Sequence, residues 1–200
     1  MTSNDIRFDC RHRGDGGPLA IVPLIDGALL TELIDGFEIA AGMQPAGDAY
    51  GGLIPEFFRF GPMQDHFLGR STNAMGPKTP VLGCECGEWG CWPLMARITP
   101  TADFVTWDAF EQPHRKTRNY VAFGPFQFDR HQYDDTLQAL SAVIGSDVHD
   151  TCARAPPGAA AGLRDGEAVH GKVRDRESGA HAWPEGAGQG PQPSPMGCAR

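Results

Sequence analysis

Residues 80–98 read Pro80-Val-Leu-Gly-Cys-Glu-Cys-Gly-Glu-Trp-Gly-Cys-Trp-Pro-Leu-Met-Ala-Arg-Ile98, and this stretch decides the fold of the chain. Apolar residues flank a glycine-rich centre that carries Cys84, Cys86 and Cys91. Short apolar runs bounded by turn residues are typical of β-strands, and glycine permits the backbone conformations that a tight turn needs. The pattern therefore predicts a hairpin with arms at 79–84 and 91–98 and with its thiols crowded at the turn.

Further strands and a helix follow this hairpin. Residues 104–110 are rich in aromatic and β-branched side chains, and 120–128 are similar but interrupted by Gly-Pro, so both segments are predicted to be strands of an antiparallel meander. Asp129 is a predicted N-cap, and Gly145 is the predicted end of the helix that it starts. The helix carries one apolar stripe, formed by Tyr133, Leu137, Leu140 and Ile144.

The N-terminal part predicts two strands and a helix. Residues 6–11 alternate between apolar and polar side chains, and 19–25 form a short apolar run. A helix is expected to follow, with Asp26 as its N-cap and Gly42 as its stop. We expect its acidic residues to face solvent, namely Glu32, Asp35 and Glu38. Residues 43–80 show no clear periodicity, apart from one possible short strand near 57–60.

These elements predict an α+β fold, an antiparallel β-meander with an N-terminal helix and a C-terminal helix packed on the sheet. Residues 1–150 are expected to form a single domain. Residues 151–200 are rich in glycine and proline and contain few large apolar side chains, so we expect a disordered, low-complexity tail. The composition of this tail is also typical of a shifted reading frame in a GC-rich gene.

Composition excludes several classes of function. The formal net charge of −8 argues against a nucleic-acid partner, because phosphate backbones are bound by concentrated basic surfaces. No apolar run is long enough for a membrane helix, and the N-terminus lacks a signal-peptide pattern. We therefore expect a cytoplasmic protein with reduced cysteines. An acidic surface would suit a basic protein partner, which the sequence does not identify.

The cysteine spacing suggests a metal site. Three thiols converging from one hairpin suit Zn²⁺, which prefers tetrahedral sulfur and nitrogen ligands. Cys84, Cys86 and Cys91 are therefore candidate ligands, although their C-x-C-x4-C spacing differs from the commoner C-x2-C pairs. A closed site needs a fourth ligand, for which the chain offers Cys10, His66, His114 and His131.

The same cysteines have other interpretations. They could be small buried apolar residues that pack a tight turn, and Cys86 and Cys91 could form a disulfide in an oxidising compartment. A nucleophilic role would need a lowered thiol pKa, whereas the neighbouring Glu85 and Glu88 favour a raised one. Catalysis by these cysteines is therefore disfavoured, and no catalytic residue is predicted.

Three motifs resemble those of a family of uncharacterised small bacterial proteins. The motifs are the C-x-C-G-x-x-G-C hairpin of residues 84–91, the V-x-W strand Val105-Thr-Trp107, and the F-x-F-D-x-x-Q-Y helix start formed by Phe126-Gln-Phe-Asp129 and Gln132-Tyr133. The resemblance covers residues 80–144. It implies a shared fold unit of meander and helix and implies no reaction, because the family has no established activity.

The leading hypothesis is a non-enzymatic binding or accessory module that acts through protein contacts. The alternative is a zinc-stabilised domain in which Cys84, Cys86 and Cys91 hold a structural or, failing that, a catalytic metal. An enzyme would require an open metal position or a pocket along the 43–78 segment.

Overall fold

The structure is a computed structural model that describes residues 3–57, 61–70 and 76–154, with side chains in these ranges up to residue 146. The strands are β1 (Ile6–His12), β2 (Leu19–Ile25), β3 (Ala28–Leu29), β4 (Tyr50–Gly51), β5 (Thr79–Cys84), β6 (Leu94–Pro100), β7 (Phe104–Glu111) and β8 (Phe126–Asp129). The helices are α1 (Leu30–Ala40), α2 (Met63–Phe67) and α3 (Arg130–Arg154), with a 3₁₀ turn at Pro55–Phe57.

The strands form two antiparallel sheets, in the orders β1-β2-β3 and β4-β5-β6-β7-β8. Two isolated bridges join them, since Ile21 pairs with Leu53 and Asn4 pairs with Phe128. Helix α1 packs against β2 and β3, whereas α3 packs against β1, β7 and β8. The predicted α+β class, with helices from the N-terminal and C-terminal parts, is confirmed.

An aromatic cluster lies between α3 and the sheets. Trp107 is fully buried, and its ring stacks on Phe67 with centroids 5.9 Å apart. The Trp107 Nε1–H group donates to the Tyr133 hydroxyl at 3.0 Å, and that hydroxyl donates to the Phe67 carbonyl at 2.5 Å. Buried polar groups are costly without partners, so this chain of hydrogen bonds lets α3 present a tyrosine to the core.

The start of α1 differs from the prediction. The N-cap is Leu29, and Asp26 instead forms with Gly27 the two-residue turn between β2 and β3. Both turn residues have positive φ, 53° and 83°, as a type I′ hairpin turn requires. The predicted stop is right, because the helix ends at Ala40 and the Gly42 N–H donates to Ile39 at 3.0 Å.

The C-terminal elements also correct two predictions. Of the predicted segment 120–128, only residues 126–128 lie in a strand, β8. Asp129 does cap α3, since its Oδ1 accepts from the Gln132 N–H at 3.0 Å. Gly145, however, does not end α3, which continues to Arg154. A glycine within a helix costs only about 1 kcal/mol relative to alanine, which is too little to stop it.

The central hairpin has a longer connection than the sequence suggested. Its first arm is β5, as predicted, but its second arm begins at Leu94 and leaves 85–93 as a loop. The sequence predicts a short strand near 57–60. Phe57 belongs instead to the 3₁₀ turn, and residues 58–60 lie outside the described residues. Helix α3 includes 151–154, which the sequence assigned to the tail, and the rest of the predicted tail also lies outside the described residues.

Candidate functional site

The three candidate cysteines lie together in the β5–β6 connection. The Sγ atoms of Cys84, Cys86 and Cys91 are all within 4.8 Å of one another. Cys84 is buried, Cys91 is half-buried and Cys86 is exposed, and all three are reduced. Within the described residues, these three cysteines form the only group of three or more His, Cys, Asp or Glu side chains whose ligand atoms lie close enough together to hold a metal ion.

A folded loop, and not an extended strand, brings these thiols together. Cys84 is the last residue of β5, and its carbonyl accepts from the Gly87 N–H at 2.9 Å. Gly87 has a φ of 95°, which a residue with a side chain rarely adopts. The Glu88 carbonyl then accepts from the N–H groups of Cys84 and Cys91, both at 3.3 Å. Cys86 therefore lies in the turn, and it is this turn that returns Cys91 to Cys84.

The thiols influence one another electrostatically. Burial raises the pKa of the Cys84 thiol above its ordinary value, and contacts with Cys86 and Cys91 raise the pKa further. The Cys86 N–H donates to Cys84 Sγ at 3.5 Å and acts in the opposite direction, because it favours the thiolate. The Cys84 thiol therefore keeps its proton in the metal-free protein, and a divalent cation would have to displace it.

The four candidate fourth ligands lie at different places. His114 is hydrogen-bonded to the cysteine loop, since its Nε2 lies 2.8 Å from the Gly90 carbonyl. His66 is buried, with Nε2 2.7 Å from the carbonyl of Pro80 in β5. The other two are Cys10, half-buried in β1, and the exposed His131, whose Nδ1 lies 3.0 Å from Asp135 in α3.

A second polar cluster, which was not predicted, adjoins the cysteine loop through Tyr50, the strand partner of Cys84. Glu38 of α1 is fully buried, and its Oε1 accepts from the hydroxyls of Tyr50 and Tyr120, each at 2.6 Å. Its Oε2 lies 2.7 Å from Nη1 of Arg118, whose side chain is also buried. Burial and the hydrogen bond to Glu38 raise the pKa of both tyrosines, which keeps their hydroxyls as donors.

The expectation that Glu38 faces solvent is therefore wrong. Glu38 follows Leu30 and Ile34 at intervals of four residues, and all three are buried on one face of α1. This spacing was the available signal, because residues four apart share a helix face. The sequence does not reveal the compensating cation, since Arg118 is distant in the chain.

The two clusters are connected through Tyr50 and Trp92. Tyr50 pairs with Cys84 across β4 and β5, while its hydroxyl reaches Glu38. The guanidinium of Arg118 lies 5.2 Å from the Trp92 ring centroid, and that of Arg115 lies 4.6 Å from it. Such cation–π contacts are worth about 0.5–2 kcal/mol each, depending on burial. The cysteine loop therefore contacts both the buried ion pair and the segment that follows β7.

Comparisons with protein-family models, curated proteins and solved structures found no match. The resemblance to uncharacterised bacterial proteins therefore depends on its motif residues alone and stays a prediction. Within the described ranges, the helices are too short or too polar to cross a membrane.

Proposed function

We propose that the chain is a zinc-binding domain in which Cys84, Cys86 and Cys91 coordinate one structural Zn²⁺. The observation that supports this is the convergence of three sulfur atoms within 4.8 Å. Tetrahedral Zn²⁺ with Zn–S bonds of about 2.3 Å places its sulfurs about 3.8 Å apart. The loop would need to contract by no more than about 1 Å between any two sulfurs to reach that geometry.

The chemistry of the ligands favours zinc. Thiolates are soft ligands, and a tetrahedral site dominated by sulfur selects zinc or iron–sulfur centres over the hard cations Mg²⁺ and Ca²⁺. Three thiolates would leave the Zn²⁺ centre with one net negative charge. The Cys86 N–H that already donates to Cys84 Sγ would then stabilise a metal-bound thiolate.

The fourth position is assigned to His114. Its segment contacts the cysteine loop through the carbonyl of Gly90, the residue before Cys91, but its ring nitrogens are not in the group of atoms within 4.8 Å of one another, so the ring would have to move toward the sulfurs when metal binds. Because Nε2 donates to this carbonyl, Nδ1 is the nitrogen available as a ligand in the neutral ring. If solvent filled the position instead, the site would have the open coordination of a catalytic zinc.

The metal would fix the loop 85–93, and with it Trp92. Residues 85–93 connect two buried strands with few backbone hydrogen bonds, so a metal crosslink would restrict this connection. The expected role is therefore structural. The hypothesis of a module that binds a protein partner is compatible with this role and stays a prediction.

Metal analysis of the full-length protein tests the proposal. We expect one zinc per chain, and we expect loss of that zinc in each of Cys84→Ser, Cys86→Ser and Cys91→Ser. Cys10→Ser is the matched control inside the fold, and a variant lacking Cys152 and Cys198 controls for thiols outside the group. Both controls should retain the metal.

Cobalt substitution identifies the ligands directly. Co²⁺ bound by three thiolates and one imidazole gives sulfur-to-metal charge-transfer bands and tetrahedral ligand-field bands, and His114→Ala should shift the ligand-field bands while keeping the charge-transfer bands. Substoichiometric zinc in the wild type, together with an unchanged melting temperature in Cys91→Ser, would refute a structural zinc site.

A further inference from the structure

A cavity of about 860 Å³ lies between the end of β7 and the segment that leads to β8. We call it the β7–β8 cavity. Its wall consists of residues 108–121, except His114, together with Phe123 and Pro125. A second depression, of about 700 Å³, shares Arg115, Thr117, Arg118, Asn119 and Val121 with it. Neither feature contains a cysteine of the proposed zinc site.

The charge of this cavity is positive. The carboxylates in its wall are engaged elsewhere, since Asp108 binds Arg97 at 2.7 Å and Glu111 pairs with Lys78. Arg115 and Lys116 are exposed and form no ion pair with any described residue. The Arg115 guanidinium is held over Trp92, which keeps one cation in place at the rim.

A buried donor without a partner lies in the same wall. Gln112 is 2 % exposed, and its Oε1 accepts from the His114 N–H at 2.6 Å, which fixes the orientation of the amide. Its Nε2 group has no hydrogen-bond partner among the described residues. An unsatisfied buried donor costs about 1–3 kcal/mol. An oxygen atom of a ligand in the cavity would satisfy it.

The remaining wall is aromatic. Phe110, Tyr120 and Phe123 are nearly fully buried around the cavity, and the rings of Phe110 and Phe123 meet edge to face at 4.9 Å. Val121, by contrast, is 89 % exposed beside them and offers an uncovered apolar surface. Binding cavities for small molecules typically combine apolar walls with a few fixed polar groups.

We infer that the β7–β8 cavity binds a small organic anion, with its carboxylate or phosphate group on the Gln112 amide and the cations of Arg115 and Lys116, and its flat apolar part on Phe110 and Tyr120. Gln112 supplies a fixed neutral donor, Arg115 and Lys116 supply charge-assisted donors at the exposed rim, and the aromatic wall supplies an apolar surface. Two exposed cations are too few for a nucleic acid in a chain of net charge −8. The inference does not depend on zinc.

Matched probes test the site in the full-length protein. The probes are 2-naphthoate and 2-naphthyl phosphate, and the controls are 2-naphthylmethylammonium, which has the same rings and the opposite charge, and inorganic phosphate, which lacks rings. Titrations at low salt are followed by ¹H–¹⁵N NMR, in which the Gln112 side-chain amide is a direct reporter. We expect saturable binding of the two naphthyl anions, and their order of affinity distinguishes a carboxylate ligand from a phosphate ligand.

Two variants make the test specific. Gln112→Glu keeps an acceptor for the His114 N–H but replaces the free donor with a carboxylate, so anion affinity should fall by at least about tenfold. Lys116→Ala changes an exposed side chain, leaves the fold intact and should weaken binding about threefold to tenfold. Arg7→Ala removes an exposed cation in β1 and should change nothing.

The inference is overturned by any of three results. In the first, naphthylmethylammonium binds with the same affinity as naphthoate. In the second, Lys116→Ala has the same affinity for the anions as the wild type. In the third, naphthoate changes the NMR shifts only of amides outside the segment 108–125. Absence of zinc from the wild-type protein, together with retained anion binding, would count against the proposed function alone, so the two proposals fail separately.

Discussion

Acid should destabilise the fold through His66. The ring is buried, and burial lowers its pKa from 6.5 to about 4, although the hydrogen bond to the Pro80 carbonyl acts in the opposite direction. Since a carbonyl can only accept, Nε2 carries the proton of the neutral ring and donates to Pro80 at 2.7 Å. His66 lies on α2, and Pro80 is near the start of β5, so the bond joins these two elements.

The sign and size of the effect follow from the two pKa values. Between pH 6.5 and about 4 the unfolded chain binds a proton that the folded chain excludes, so folding stability falls as the pH falls through this window. The full loss is about 3.4 kcal/mol, from about 2.5 pKa units at 1.36 kcal/mol each. At pH 5 about 2 kcal/mol of it should already be lost.

Urea unfolding at pH 7 and pH 5, followed by tryptophan fluorescence, measures this loss. His66→Gln keeps a neutral donor for the Pro80 carbonyl but cannot be protonated, so it should lose about 2 kcal/mol less than the wild type between the two pH values. His131→Gln, which replaces an exposed ring on α3, is the control and should behave like the wild type. Equal losses in the wild type and His66→Gln would refute the reasoning.

Three further substitutions test the described packing, each by urea unfolding. Glu38→Gln removes the charge opposite a buried guanidinium and should lower the free energy of unfolding by about 3 kcal/mol or more. Glu32→Gln, on the exposed face of α1, should lower it by less than about 0.5 kcal/mol. Equal effects of the two substitutions would contradict the buried ion pair. Tyr133→Phe leaves a buried indole N–H and a buried carbonyl without a partner and should cost about 1–3 kcal/mol, and no cost would mean that water replaces the hydroxyl. Gly51→Ala places a Cβ 2.8 Å from the Cys84 carbonyl oxygen at the end of β5, so it should lower both stability and zinc content. Its control, Gly36→Ala, has open space around it in α1 and should stabilise the fold by up to about 1 kcal/mol. If Gly51→Ala is tolerated, β4 can move away from β5.

The sequence predicted those elements whose signals are local. Strand β5 and the strands β1, β2 and β7 follow from apolar runs and alternation, and the start of α3 follows from the Asp129 cap. It also predicted that three thiols would converge. The hairpin was expected to carry the thiols at the ends of its arms, whereas Cys86 lies beyond the end of β5 in the turn that Gly87 permits.

Features that depend on distant partners were missed. Glu38 was expected to face solvent because it is acidic. Its partners Arg118, Tyr50 and Tyr120 are not its neighbours in the sequence, so no local pattern indicates them. The amide of Gln112 likewise depends on the folded chain, because its Oε1 accepts from the His114 N–H while its Nε2 has no hydrogen-bond partner among the described residues. The error at Asp26 has a different cause. Aspartate is a common helix N-cap, but an Asp-Gly pair also forms two-residue hairpin turns. The pairing of β2 with β3 places Asp26 and Gly27 in such a turn.

The loop 85–93 is where these features meet. Cys84 pairs in register with Tyr50, which hydrogen-bonds to Glu38, and Glu38 pairs with Arg118. Arg118 returns to the loop through Trp92, whose ring also holds Arg115 at the β7–β8 cavity. A metal that fixes the loop would therefore fix the cation that an anion needs. Because coupling between two binding sites is reciprocal, an anion in the cavity would raise the zinc affinity by the same factor by which zinc raises the anion affinity.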